Sequence, residues 1–150
     1  MGKLRRTSHA VYELNYHIVW APKYRRRVLT GEVRKRVLEL FSRIAEEYGF
    51  EIIEQEVVED HVHVFVSAPP KISPSDVVRV LKSISARELF REFSGLRKTF
   101  WKRELWEDGY FIRAVGDKLT TDEIKAYVRH QEKEKKRGVQ LSLFGRKSDN

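Results

Sequence analysis

The residues best suited to chemistry stand in the run Glu59-Asp60-His61-Val62-His63-Val64-Phe65-Val66. Valines alternate with the two histidines, so the run reads as a β-strand, and side chains on a strand alternate between faces. His61 and His63 are therefore expected on one face, their Cα atoms roughly 6.6 Å apart, twice the strand rise. At that spacing both imidazoles can lean onto one divalent cation while the valines pack into a core. The same alternation turns Asp60 away from the imidazoles and leaves it out of the set. A second pair, Tyr127 and Gln131, falls one turn apart on one face of a helix expected near the C-terminus. Its inward stripe reads Ile124, Tyr127, Val128 and Gln131. A helix packed only for stability would carry fewer polar groups there, because burying an amide without partners is unfavourable.

These four groups suggest one reaction. A tyrosine hydroxyl, with a pKa near ~10, is a poor nucleophile unless its target is activated. A divalent ion bound by two imidazoles and an amide oxygen, with open positions, can polarise a phosphodiester and leave the tyrosine to attack phosphorus. Nitrogen and oxygen ligands acting with substrate oxygens suit Mg²⁺ or Mn²⁺, and His pairs also suit Zn²⁺ or Ni²⁺. Other histidine chemistries fail. A His-x-His-x-Asp-His hydrolase needs aspartate and histidine after Val64, where Phe65 and Val66 stand. There is no His-Glu-x-x-His helix, Gly-rich phosphate loop or Gly-x-Ser-x-Gly elbow.

Composition narrows the partner. The chain has 150 residues, 41% hydrophobic, and a net charge of +8, so one domain with a real core and an anionic partner such as nucleic acid are expected. Absence of cysteine excludes disulfides, thiol nucleophiles and Cys-based metal sites. With no long apolar run and no leader-like N-terminus, a soluble cytoplasmic protein is expected. The 35% charged content would also suit a thermophile.

The elements that must position these residues follow from periodicity. Residues 11–20 alternate as a first strand, with Tyr12, Leu14, Tyr16, Ile18 and Trp20 on one face and His17 on the other. There His17 either looks into the site of the histidine pair or, the favoured reading, hydrogen-bonds a neighbour. A basic loop, Lys23-Tyr24-Arg25-Arg26-Arg27, follows, able to hold phosphates and stack a base. Thr30 can cap a packing helix over 31–48, with Val33, Val37, Leu40, Phe41, Ile44 and Tyr48 as its stripe and Gly49 ending it. Strands over 50–58 and 61–67 form a hairpin. Ser73, Pro74 and Asp76 start a second helix reaching about residue 93, with Arg79, Lys82, Arg87 and Arg91 outward. The segment 95–106 interleaves Arg97, Lys98, Lys102 and Arg103 with Phe100, Trp101 and Trp106, the mixture single-strand binders use. At least one of those aromatics is expected in the core. A last strand spans 109–115, and Thr120 with Glu123 boxes a helix over 121–137.

Taken together, Tyr16-His17-Ile18-Val19-Trp20, Lys23-Tyr24-Arg25-Arg26, Asp60-His61-Val62-His63, Leu105-Trp106 with Gly109-Tyr110-Phe111, and Tyr127 with Gln131 resemble the single-tyrosine HUH transposases of insertion sequences that move as single-stranded DNA. REP-associated tyrosine transposases are relatives. The resemblance spans about residues 9–137. It implies an α+β, ferredoxin-like or RRM-like fold with a four-stranded antiparallel sheet, packing helices and a C-terminal helix carrying the nucleophile. One transposase domain is expected over 1–138, followed by a C-terminal tail over 139–150, expected to be partly disordered, that the resemblance does not cover. The resemblance also implies a homodimer whose active sites can be shared, Mg²⁺ or Mn²⁺ as cofactor, and DNA hairpins as partner. In roles, His61, His63 and Gln131 would bind the metal, Tyr127 would form a 5′-phosphotyrosine, and Gly116 would be the hinge. DNA contacts are expected from Lys23, Tyr24, Arg25, Arg26, Arg79, Lys82, Arg97, Lys98, Trp101, Lys102 and Arg103. Two alternatives stay open on the residues: a non-catalytic single-stranded DNA or RNA-binding module, and a domesticated nickase acting on repeat hairpins.

Overall fold

The computed structural model describes residues 4–7 and 11–115. Two short strands, β1 (Arg5–Arg6) and β2 (Val11–Tyr12), pair as a small antiparallel ribbon. The main sheet contains β3 (Asn15–Trp20), β4 (Glu51–Val58), β5 (His61–Ser67) and β6 (Phe111–Val115), ordered β4-β5-β3-β6 with every pairing antiparallel. Helix α1 (Gly31–Tyr48) connects β3 to β4, and α2 (Pro74–Glu92) with the short α3 (Ser94–Thr99) connects β5 to β6. This is the split βαβ, ferredoxin-like arrangement of an α+β fold.

One face of the sheet makes the core with the helices. Val62, Val64 and Val66 on β5 and Ile18 and Trp20 on β3 are fully buried against Val37, Leu40, Phe41 and Ile44 of α1 and Val77, Leu81 and Leu89 of α2. Each such side chain contributes about 1.5–3 kcal/mol, so the strand that carries the histidines is fixed by its other face. Ser73 caps α2 through a reciprocal box with Asp76, at 3.0 Å and 3.3 Å. Gly49 ends α1 at φ +81°, where a side chain would be strained.

Three sequence expectations need correction. The first strand is broken at Glu13 and Leu14, because β5, its partner, ends at Ser67 opposite Asn15. Beyond it Pro69 and Pro70 have no N–H with which to extend the ladder. Thr30 occupies the cap position of α1, but its hydroxyl makes no cap bond, and its carbonyl takes the Arg34 N–H at 3.2 Å. Tyr48, placed on the buried stripe, is exposed, while Ala45 is buried instead. The helix expected over 121–137, with Tyr127 and Gln131, lies outside the described residues. So do Gly116 and the tail over 139–150.

Candidate metal centre and nucleic-acid face

The sheet face opposite the helices carries His17, His61 and His63, all buried. The His61 Nε2 and His63 Nε2 atoms face each other at 3.1 Å. That is the alternation geometry expected of the strand, with Val62 between them turned into the core. Among the described residues, no group of three His, Asp or Glu side chains could hold a metal ion. The histidine pair itself fits one. Two nitrogens each ~2.1 Å from an ion and 3.1 Å apart subtend roughly a right angle, as adjacent ligands do.

Asp60 belongs to this site, contrary to its exclusion on strand alternation. β5 begins at His61, so Asp60 sits in the two-residue turn after β4, where the backbone does not alternate. The Leu29 N–H donates to Glu59 O at 3.0 Å and holds that turn. From there Asp60 Oδ1 lies 2.8 Å from His61 Nδ1. Its other oxygen accepts from Arg25 Nη2 at 3.1 Å. Burial raises the Asp60 carboxyl, but the bonds from His61 and Arg25 outweigh it and hold the pKa at about 2. An ionised carboxylate only accepts, so a neutral His61 carries its proton on Nδ1 and turns a lone pair at Nε2 toward His63.

His17 extends the chain of rings. It sits on β3 opposite Phe65 and diagonal to His63, which is paired with Val19. Its Nε2 is 3.0 Å from His63 Nδ1, and its ring stacks on Phe65 at 4.5 Å with planes 4° apart. The neighbour it hydrogen-bonds is thus a member of the histidine pair, which joins the two readings its sequence position allowed. Burial, then the neighbouring His63 and Arg113, push its pKa down to about 3, so it stays neutral at ordinary pH.

Beside the histidines, the chain after β3 makes a 3-10 turn over Lys23–Arg25, with Tyr24 at φ +61° and Arg25 at φ +52°. Two consecutive non-glycine residues in this region are strained and need support. It comes from the 105–107 segment: Lys23 N–H donates to Leu105 O at 2.7 Å and Glu107 N–H to Ala21 O at 2.9 Å. The turn points Arg25 inward to Asp60 and leaves Tyr24 74% exposed. Trp101 is 77% exposed, whereas Phe100 and Trp106 are buried, the latter donating from its indole N–H to Ser85 Oγ at 3.0 Å. Tyr24, Trp101, Lys23, Arg26 and Lys102 line a cavity of about 110 Å³. Lys102 lies 5.1 Å from the Trp101 ring and Arg26 5.8 Å from that of Tyr24.

The expected DNA-contacting cations divide into two groups. Arg25 is turned to Asp60, Lys82 donates to Glu107 O at 2.8 Å and Gly109 O at 2.7 Å, and Arg97 donates to Phe90 O. Lys23 pairs with Glu104 at 3.2 Å, and Arg79 with Asp76 at 3.5 Å. Arg26, Lys98, Lys102 and Arg103 are exposed. Arg97 and Arg103, with Arg87 and Arg91 of α2, line a larger groove of about 650 Å³. The Arg25, Lys82 and Lys23 pairings have no local sequence signal, since each joins residues far apart in the chain, whereas Arg79 and Asp76 stand one helical turn apart.

The family model described as IS200-like transposase matches residues 10–131. The transposase of insertion sequence element IS200 from Salmonella typhimurium is 37% identical over 143 residues, covering 95% of this chain and 93% of that protein. The ISDra2 transposase TnpA of Deinococcus radiodurans is 39% identical over 121 residues, covering 81% and 86% respectively. A solved structure, a transposase from Deinococcus radiodurans R1, superposes with a TM-score of 0.69 at 35% identity over 85% of this chain and 97% of that one. A REP-associated tyrosine transposase bound to a REP hairpin shares the fold, with a TM-score of 0.55 at 16% identity over 93% and 76% of the two chains. With the family match and two relatives each covering most of its length, this chain belongs to the IS200-like transposases.

Proposed function

We propose that this transposase cleaves and rejoins single-stranded DNA at hairpin-marked element ends, through a 5′-phosphotyrosine on Tyr127 and with Mg²⁺ or Mn²⁺ held by His61, His63 and Gln131. The observation that carries the reading is the pair of Nε2 atoms 3.1 Å apart, one of them oriented through Asp60. A cation held there supplies Lewis-acid polarisation of a phosphate oxygen. The protein's residues do the remainder. Asp60 and Arg25 fix the His61 ring, and the valine face of β5 holds both rings to a rigid sheet. The Tyr127 oxygen attacks phosphorus; its bond to phosphorus forms as the P–O3′ bond breaks, and the tyrosine's proton balances the freed 3′-OH. Rejoining reverses the exchange with the 3′-OH of another strand, so no nucleotide cofactor is required.

Gly116 is the hinge for the helix that bears Tyr127, and in a homodimer that helix can complete the partner's site. The Tyr24 and Trp101 cavity receives unpaired bases, with Arg26 and Lys102 on the flanking phosphates. The likeness of fold to a transposase bound to a REP hairpin supports a hairpin partner. The test is a labelled single-stranded hairpin oligonucleotide incubated with the protein and Mg²⁺ or Mn²⁺. Wild type is expected to form an adduct that survives denaturation, Tyr127→Phe none, and His61→Ala to bind the hairpin without cutting it. An adduct on Tyr127→Phe would overturn the mechanism.

A further inference from the structure

We propose that His17 is a positioning residue that decides which nitrogen of His63 is offered to a metal. The inference rests on the reading that His61 and His63 hold a divalent cation. Four side chains form one line: Asp60 Oδ1 to His61 Nδ1 at 2.8 Å, His61 Nε2 to His63 Nε2 at 3.1 Å, and His63 Nδ1 to His17 Nε2 at 3.0 Å. A neutral imidazole has one N–H and one lone pair, so a proton fixed at one end of such a line dictates the rest. Asp60 accepts, so His61 has its proton on Nδ1 and its lone pair at Nε2.

Two arrangements keep the bond between His63 and His17, and only the first also bonds His61 to His63 when no ion is present. In the first, His63 donates from Nε2 to His61, and its Nδ1 lone pair accepts from His17 Nε2–H. In the second, His63 has its proton on Nδ1, donates it to the His17 Nε2 lone pair, and leaves its own Nε2 lone pair beside that of His61. Only the second presents two lone pairs to one ion. His17 and His63 exchange tautomers together, and the cluster's count of protons does not change. His17 can serve both arrangements because an imidazole nitrogen either donates or accepts at the same place, which a lysine or arginine cannot do. The sheet keeps it there: His17 lies diagonal to His63 across β3 and β5 and stacks flat on Phe65, 4.5 Å between ring centres.

The test uses the full chain, its His17→Phe and His17→Gln variants, and Mn²⁺ uptake read from the electron paramagnetic resonance of the free ion, without DNA. Phenylalanine keeps the stack on Phe65 but accepts no hydrogen bond, so Mn²⁺ affinity should fall about 10- to 100-fold. Glutamine, whose amide oxygen reaches the place of Nε2, should restore most of it. Independently of any variant, two-bond nitrogen-proton correlations on the wild-type protein should show the His63 proton on Nε2 without metal and on Nδ1 with Zn²⁺. His17→Phe binding Mn²⁺ as tightly as wild type overturns the role of His17 alone, whereas a His63 proton that stays on Nε2 with Zn²⁺ leaves no Nε2 lone pair to ligate and overturns the metal reading together with this role. A wild-type protein that takes up no Mn²⁺ overturns the metal reading and this role with it.

Discussion

Replacing Asp60 by alanine tests whether the turn before β5 orients the proposed metal site. The carboxylate accepts from His61 Nδ1 at 2.8 Å and from Arg25 at 3.1 Å, and alanine leaves both donors without it. Hydrogen bonds to charged groups contribute about 1.5–3 kcal/mol each. Partial exposure screens the Arg25 bond, so a total near ~2–3 kcal/mol is expected. The carboxyl's depression to about 2 gives a figure of the same order. For a chain of this length the melting temperature should fall roughly 4–12 °C. The pH dependence has a definite sign. A carboxyl whose folded pKa lies below its unfolded value stabilises the fold above pH ~4, and this contribution is lost as pH falls toward ~2. Asp60→Ala should therefore lack part of the acid-limb decline that wild type shows. Freed of the carboxylate, His61 can take the other tautomer, and Mn²⁺ affinity should drop about 10- to 100-fold. Asp60→Asn keeps an oxygen for the His61 N–H and should retain more of that affinity than alanine. Calorimetric melting from pH 2 to 7 and Mn²⁺ titration read both effects. An alanine variant that binds Mn²⁺ like wild type would refute the orienting role, even if it melts lower.

Two further substitutions separate the nucleic-acid face from the framework. Trp101→Ala should weaken single-strand binding by about 1–3 kcal/mol, the contribution of one stacked base, with a melting temperature near that of wild type. Trp20 and Trp106 are buried, so quenching of tryptophan fluorescence by an oligonucleotide should vanish in this variant, and persistence of the quenching would sink the stacking role. Lys82→Met should lower stability by about 2 kcal/mol, because the ammonium bonds the Glu107 and Gly109 carbonyls that precede β6. The salt slope of DNA binding should stay unchanged, whereas loss of a phosphate contact would reduce it by about one unit.

The elements legible in the sequence were those written by local periodicity and punctuation. The helix over 31–48 ends at Gly49, the strand over 61–67 begins at His61, and the Ser73 box opens α2, each from residues within one turn of the boundary. The histidine pair was legible for the same reason: two residues apart on a strand is one face. What was not legible depends on pairing between distant segments. The first strand breaks because its neighbour runs into Pro69 and Pro70, a fact of register that residues 11–20 do not contain. Asp60 was misplaced because the strand rule was carried one residue past the strand's end. His17 reaches His63 only through the β3 and β5 register, and Lys82 reaches its carbonyls across 25 and 27 residues.

The two faces of β5 explain why the proposed metal site can stand on so short a motif. Val62, Val64 and Val66 are locked among helices, so slipping the register by one residue would turn the imidazoles into the helix-packed core and the valines onto the opposite face. The hydrophobic free energy that fixes the strand therefore also fixes the histidine spacing. It does not fix ring rotation, since a strand sets where a Cβ points and not which nitrogen leads. That remaining freedom is removed from the sides, by a carboxylate in the β4–β5 turn and by an imidazole on β3, each arriving from a different element. Spacing comes from one strand and orientation from two others, so substitutions at Asp60 or His17 should alter metal affinity while the core and the His61–His63 spacing persist.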